Sequence, residues 1–210
     1  MDNDADDALL AEDGIGDARQ SDRFLDLTIR TGIGGNLLDR KLSHGARGAQ
    51  PELGHTNINA ANRPPCYCWA HGSCESLASG AAIAAWSYSQ QATSTSPRAA
   101  EFRRMAEQGD PLALKAMDRL GQYLGIGLSN IITAFTPESA DLGGGVMKSH
   151  HPFLPPALVV IEEPCTQAQS KKAQIKVAAL HSQAGLPGAV ETWLSRSSQF
   201  ATYDLPQLLQ

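Results

Sequence analysis

From Arg23 to Arg30 the chain reads RFLDLTIR, with apolar and polar positions alternating at the two-residue period of a β-strand. The glycine-rich TGIGGN that follows predicts a flexible corner, and LLDRKLS a second strand, so a hairpin is expected here. Upstream, Ala5, Ala8, Leu9 and Ala11 recur at helical spacing behind acidic residues that suit a helix N-terminus, which predicts a short helix over residues 4–13. Between Pro97 and Glu138 the pattern becomes strongly helical. Leu114, Met117, Leu120, Leu124, Leu128, Ile131 and Phe135 recur every three or four residues. With Asp110 as N-cap and Pro111 at the first helical position, this predicts a central buried helix over about 110–135, roughly seven turns.

Gly121 and Gly125 stand one turn apart on that helix and predict close backbone packing in a core. A membrane span does not fit, because Arg119, Gln122 and Asn130 interrupt a stretch that is already too short. Further on, ALVVIEE suits a strand or a helix, QIKVAAL a strand, and GLPGAVETWL a loop leading into a last helix, while SYSQQATSTSPR reads as an exposed connection. Strands and helices alternate without internal repeats, so the class is α/β.

Composition narrows the function. At 210 residues with 42% hydrophobic and 19% charged positions the chain is globular, as one large or two small domains. Seventeen bases against 22 acids give a net charge of -5, and no dense Lys/Arg stripe disposes it toward nucleic acid. No apolar run is long enough to span a bilayer, and the acidic MDNDADDALLAEDG does not resemble a secretion signal, so a cytoplasmic location without membrane partners is expected.

Candidate chemistry concentrates between Glu52 and Gly80. His55, Cys66, Cys68, His71 and Cys74 offer five thiolate or imidazole donors where tetrahedral zinc needs four. Buried free cysteines would not require such clustering. A second acidic group, Asp2, Asp4 and Asp6, mimics the start of a calcium loop, but Asp7 occupies the position that needs glycine and there is no room for a preceding helix.

The stretch ELGHTNI…CYCWAHGSCESLASG resembles the signature of the ROK family of sugar kinases and repressors, which runs G-E-x-G-H, a variable loop, then C-x-C-G-x-x-G-C-x-E and an A-S-G turn. DNDADDALLAED, TGIGGNLLDRKLSHGARGAQPELGH, GIGLSNIITAFTPESADLGGGV and AALHSQAGLPGAV are similar to further motifs of that family, in the same order. The resemblance implies an actin-like, ribonuclease H-like ATPase lobe over residues 1–210, a mixed sheet flanked by helices, with a zinc- and sugar-binding loop at about 52–80. It implies ATP-dependent phosphorylation of a hexose or N-acetylhexosamine, with Asp4 as the base that accepts the hydroxyl proton. Asn3, Glu52, His55 and Glu75 would contact the sugar.

Thr31, Gly32, Gly34 and Gly35, together with Gly143, Gly144 and Gly145, would let backbone close on ATP, which brings Mg²⁺ with it. Structural zinc would fall to His55, Cys66, Cys68 and Cys74, with His71 as the alternative fourth ligand. The last cysteine departs from the family pattern, because gap-free matching puts Ser73 where it belongs and Cys74 one residue late; Trp69 also replaces the usual glycine. Family members carry a D-x-G-x-T phosphate loop in an upstream lobe that is not in this sequence, so weak or absent kinase activity is expected of the chain alone. A homodimer is expected, and a non-catalytic, zinc-stabilised sugar-binding module of the repressor type is the alternative.

Overall fold

The computed structural model describes residues 21–39, 41–42, 46–61, 64–90, 99–162 and 173–178. The predicted hairpin is present with a shorter corner than expected: β1 (Arg23–Ile29) pairs antiparallel with β2 (Ile33–Asp39), so Ile33–Asn36 of TGIGGN belong to the second strand, and LLDRKLS is divided between β2 and the two-residue β3 (Lys41–Leu42) that pairs with it. β4 (Ser139–Gly143) and β5 (Gln174–Val177) add parallel on the other side, giving the sheet order β3-β2-β1-β4-β5. Parallel neighbours cannot be joined by a tight turn. The chain crosses from the hairpin to β4 through α1 (Cys74–Ala78), α2 (Gly80–Gln90), α3 (Ala99–Glu107) and α4 (Pro111–Phe135); α5 (Leu154–Ile161) lies between β4 and β5.

The alternation in RFLDLTIR suggests one wet face, yet β1 is the middle strand and both of its faces are covered. Leu25, Leu27 and Ile29 join Leu37, Ala140, Leu142 and the helices in one core. On the opposite face Asn36, Asp26 and Asp141 stand side by side in register, all three buried. Side chains at paired positions share a face, so these polar groups form a row across the sheet.

α4 begins as its sequence predicts. The Asp110 carboxylate accepts the Ala113 N–H at 2.9 Å and Pro111 opens the first turn, a cap contributing about 1 kcal/mol. Met117, Leu120, Leu124, Leu128 and Ile131 are buried, each contributing about 1.5–3 kcal/mol relative to exposure. Leu114 and Phe135 are not: at 43% and 37% exposure they project past the core at the two helix ends. Gly121 and Gly125 do serve close packing, since a Cβ at either would run into the carbonyls of Phe153 and Ala157 on and beside α5.

Elsewhere the helical pattern from Pro97 divides at Gly109, whose φ of +83° ends α3 before α4 starts. Ala157–Ile161 of ALVVIEE lie in helix α5, and Gln174–Val177 of QIKVAAL form strand β5. The first residues of SYSQQATSTSPR are not an exposed connection, because Ser87–Gln90 complete α2 and Ser87 is buried. The helices expected at 4–13 and after GLPG lie outside the described residues. Among the described residues no helix is long and apolar enough to cross a membrane.

Candidate functional site

The loop between β3 and α1 folds back on itself as a narrow ribbon. Bridges pair Asn57 with Ser73 and Pro65 with His71, the Cys74 N–H donates to Thr56 at 2.9 Å, and Ile58 N–H donates to Gly72 at 2.9 Å. Asn59 ties the ribbon to α4 through the Tyr123 hydroxyl at 3.1 Å. On α4, Arg119 lies over Tyr123 and Trp86, 4.7 Å and 5.6 Å from the ring centres, joining α4 to α2. At the tip, Trp69 N–H donates to Cys66 O at 3.1 Å in a tight turn. The ribbon therefore returns the thiols of the tip to the base, where His55 ends a 3-10 turn (Leu53–His55) anchored by buried Leu53.

This is how donors far apart in sequence meet. The ligand atoms of His55, Cys66 and Cys68 all lie within 4.8 Å of one another, and Cys66 Sγ is 3.4 Å from His55 Nδ1. Donor atoms around tetrahedral zinc, with bonds of 2.0–2.3 Å, stand about 3.3–3.8 Å apart. The His55–Cys66 spacing already matches, and soft thiolates with one imidazole are the donor chemistry zinc prefers, so these residues fit the ion. Burial pushes the Cys66 thiol up, opposed by its hydrogen bond with Ser73.

Cys74 is not brought to this group. It is the first residue of α1, 1% exposed, its Sγ against Gly127 of α4, and burial followed by the nearby Glu75 charge pushes its thiol up to about 12. The expectation that Cys74 completes the tetrahedron is therefore revised. His71, the alternative, is exposed and also stands outside the cluster. Ser73, one residue earlier, caps α1 by accepting the Ser76 N–H at 3.1 Å and pairs with Asn57 across the ribbon.

The carboxylates expected to meet a sugar converge on the same imidazole. Glu52 Oε2 is 3.6 Å from His55 Nε2, and Glu75 Oε1 is 3.9 Å from His55 Nδ1 and 3.7 Å from Cys66 Sγ. Glu52 is open to solvent while Glu75 is buried, so the pair presents one wet and one shielded oxygen acceptor. Sequence reasoning did not find Tyr67. Its hydroxyl hydrogen-bonds His55 Nε2 at 2.9 Å, with the rings edge-on at 4.8 Å. Burial, then the charges of Glu75 and Glu52, push the Tyr67 phenol up.

Glu75 also reaches the glycine corner. Its Oε2 accepts the Ile33 N–H at 2.8 Å, and a Cβ on Gly32 would collide with that oxygen. Thr31 is exposed beside it, its carbonyl accepting the Ala81 N–H of α2 at 3.2 Å. The two glycine groups picked out from the sequence meet at one end of the sheet, because Gly34 and Gly143 both pair with Thr28, from opposite sides. Gly35 pairs with Leu27 one step inward, and Gly144 and Gly145 continue from the end of β4. This is the carboxyl end of parallel strands β1 and β4, where open α/β sheets place their ligands. Asn3 and Asp4 lie outside the described residues.

A mixed sheet of this order flanked by helices is shared with proteins of the actin-like ROK fold. The family model described as ROK family matches residues 1–196, and the chain belongs to that family. It is 29% identical to a glucokinase of Halalkalibacterium halodurans over 95% of this chain and 64% of that protein. It is 32% identical to the xylose repressor of Bacillus subtilis over 71% of this chain and 38% of that protein. Among solved structures, a ROK family glucokinase from Streptomyces griseus in complex with glucose and AMPPNP superposes with a TM-score of 0.78 at 27% identity, over 91% of this chain and 67% of that one. The chain thus spans under two thirds of the length of these two curated relatives.

Proposed function

We propose that this chain forms the sugar-binding and proton-accepting part of an ATP-dependent hexose kinase. The observation that carries the reading is the convergence of the Glu52 and Glu75 carboxylates on the His55 imidazole, beside the sheet end where Gly34 and Gly143 flank Thr28. Carboxylates and an imidazole fixed in this way can each hold a sugar hydroxyl, and a fixed sugar lowers the barrier by orientation alone.

A sugar hydroxyl is a weak acid, so its attack on a phosphoryl group is helped by a carboxylate that takes the proton as the new P–O bond forms. Asp4 has that role by its match to the family motif, with Asn3 beside it on the sugar. Thr31, Gly32, Gly34 and Gly35 on one side and Gly143, Gly144 and Gly145 on the other line the approach of ATP with its Mg²⁺, where backbone N–H groups meet phosphate oxygens. Zinc held by His55, Cys66 and Cys68 would brace the ribbon and fix the imidazole ring that orients the sugar. A homodimer is the expected assembly.

The test joins this chain to an upstream lobe bearing D-x-G-x-T and follows hexose phosphate from glucose, fructose, mannose or N-acetylmannosamine with ATP. Asp4→Asn is expected to lower turnover by about 10²–10⁴-fold with sugar binding retained. Turnover that persists in Asp4→Asn overturns the assignment. The likeness to the xylose repressor favours a second reading, a zinc-stabilised sugar-binding module without catalysis. Sugar binding with no phosphate transfer, unchanged by Asp4→Asn, selects that reading.

A further inference from the structure

The three-donor cluster leaves one side of a tetrahedron to be accounted for. Beside Cys66 stand two oxygen-bearing side chains, Glu75 with Oε1 at 3.7 Å and Ser73 at the cap of α1. The third thiol of the segment, Cys74, is turned away. Ser73 is the cap and Cys74 the first residue of α1, and successive positions on a helix rotate by about 100°. When the cap residue faces the ribbon, the next side chain must face the core, where Gly127 leaves room for its sulfur. A thiol displaced by one residue is therefore not a conservative substitute for a thiol at the cap.

We propose, resting on the metal reading above, that zinc here has three protein ligands, His55 Nδ1, Cys66 Sγ and Cys68 Sγ. The fourth position opens toward Ser73 and Glu75 and is filled by an exchangeable donor such as water. A neutral hydroxyl is a poor ligand beside thiolates, so Ser73 shapes this position without closing it. Closed four-ligand sites are structural, whereas three ligands and a solvent position make an open site whose ion exchanges and accepts small soft donors. The ion would then be held less tightly than with one further thiolate in the fourth position, and the ribbon's order would follow free zinc.

The experiment loads the full chain with Co²⁺, whose thiolate charge-transfer absorption grows with each bound sulfur. The wild-type chain is expected to show two thiolates. Ser73→Cys should raise the band by about one half and tighten zinc at least tenfold in competition with a chromophoric chelator. Cys74→Ala should leave both readings unchanged. A band that falls by about one third in Cys74→Ala, or a Ser73→Cys spectrum identical to wild type, overturns the open-site proposal while leaving a metal site in place. Absence of any thiolate band in the wild-type chain overturns the metal reading itself, and the proposal with it.

Discussion

The buried N–H of Ile33 donates to the Glu75 carboxylate at 2.8 Å, linking the glycine corner of the hairpin to the first turn of α1 across 42 positions of sequence. The other oxygen of the same carboxylate faces Cys66 and His55. One side chain thus fixes the backbone at the glycine corner and borders the His55–Cys66–Cys68 cluster, which makes the two halves of the site mechanically dependent on each other.

Removing that carboxylate separates its two duties. Glu75→Ala strands the Ile33 N–H, a loss of about 1–3 kcal/mol, and is expected to weaken metal binding about 10–100-fold through its lost support of the ligands. Glu75→Gln keeps an acceptor for Ile33, so its thermal midpoint should stay near wild type while hexose binding falls. Melting curves and chelator competition on the two variants check this. Equal melting temperatures for Ala and Gln would contradict it.

Cys74 provides a pH signature. Its thiol is held neutral to about 12 in the folded chain, well above the ordinary value near 9. A raised folded value means that the unfolded chain loses its proton first. The resulting stabilisation is complete below about 9 and is lost as pH rises toward 12. At pH 8 only about one thiol in ten thousand is ionised at this position, so Cys74 should resist alkylation until the chain unfolds. Peptide mapping after brief iodoacetamide treatment should find Cys66 and Cys68 modified first in metal-free protein, and early labelling of Cys74 would refute its placement.

Trp69 holds the turn between the thiols in a left-handed conformation, φ 69°, while its side chain is 93% exposed. A residue with a Cβ costs about 1–2 kcal/mol there, and an exposed indole recovers little of it by burial. Trp69→Gly is expected to stabilise the metal-loaded chain by up to about 1 kcal/mol, after the greater freedom of glycine in the unfolded chain is counted. Denaturant titration reads the difference. A destabilised Trp69→Gly would show that the indole has a partner the turn geometry does not explain.

What the sequence determined by itself is local: the strand period in RFLDLTIR, the cap and first turn of α4, its apolar stripe, and the crowding of soft donors around Cys66. Each depends on residues within a few turns or one ribbon, so each is written in spacing. The segment after Ser73 was less legible, because α2 carries alanines and serines with little periodic contrast. Tertiary structure alone decided that Asp26 lies inside the sheet, that Tyr67 meets His55, and that Cys74 packs against Gly127 outside the cluster. Those outcomes turn on which strand is central and on the rotation at which a helix starts, and a one-residue difference there exchanges a ligand for a core side chain.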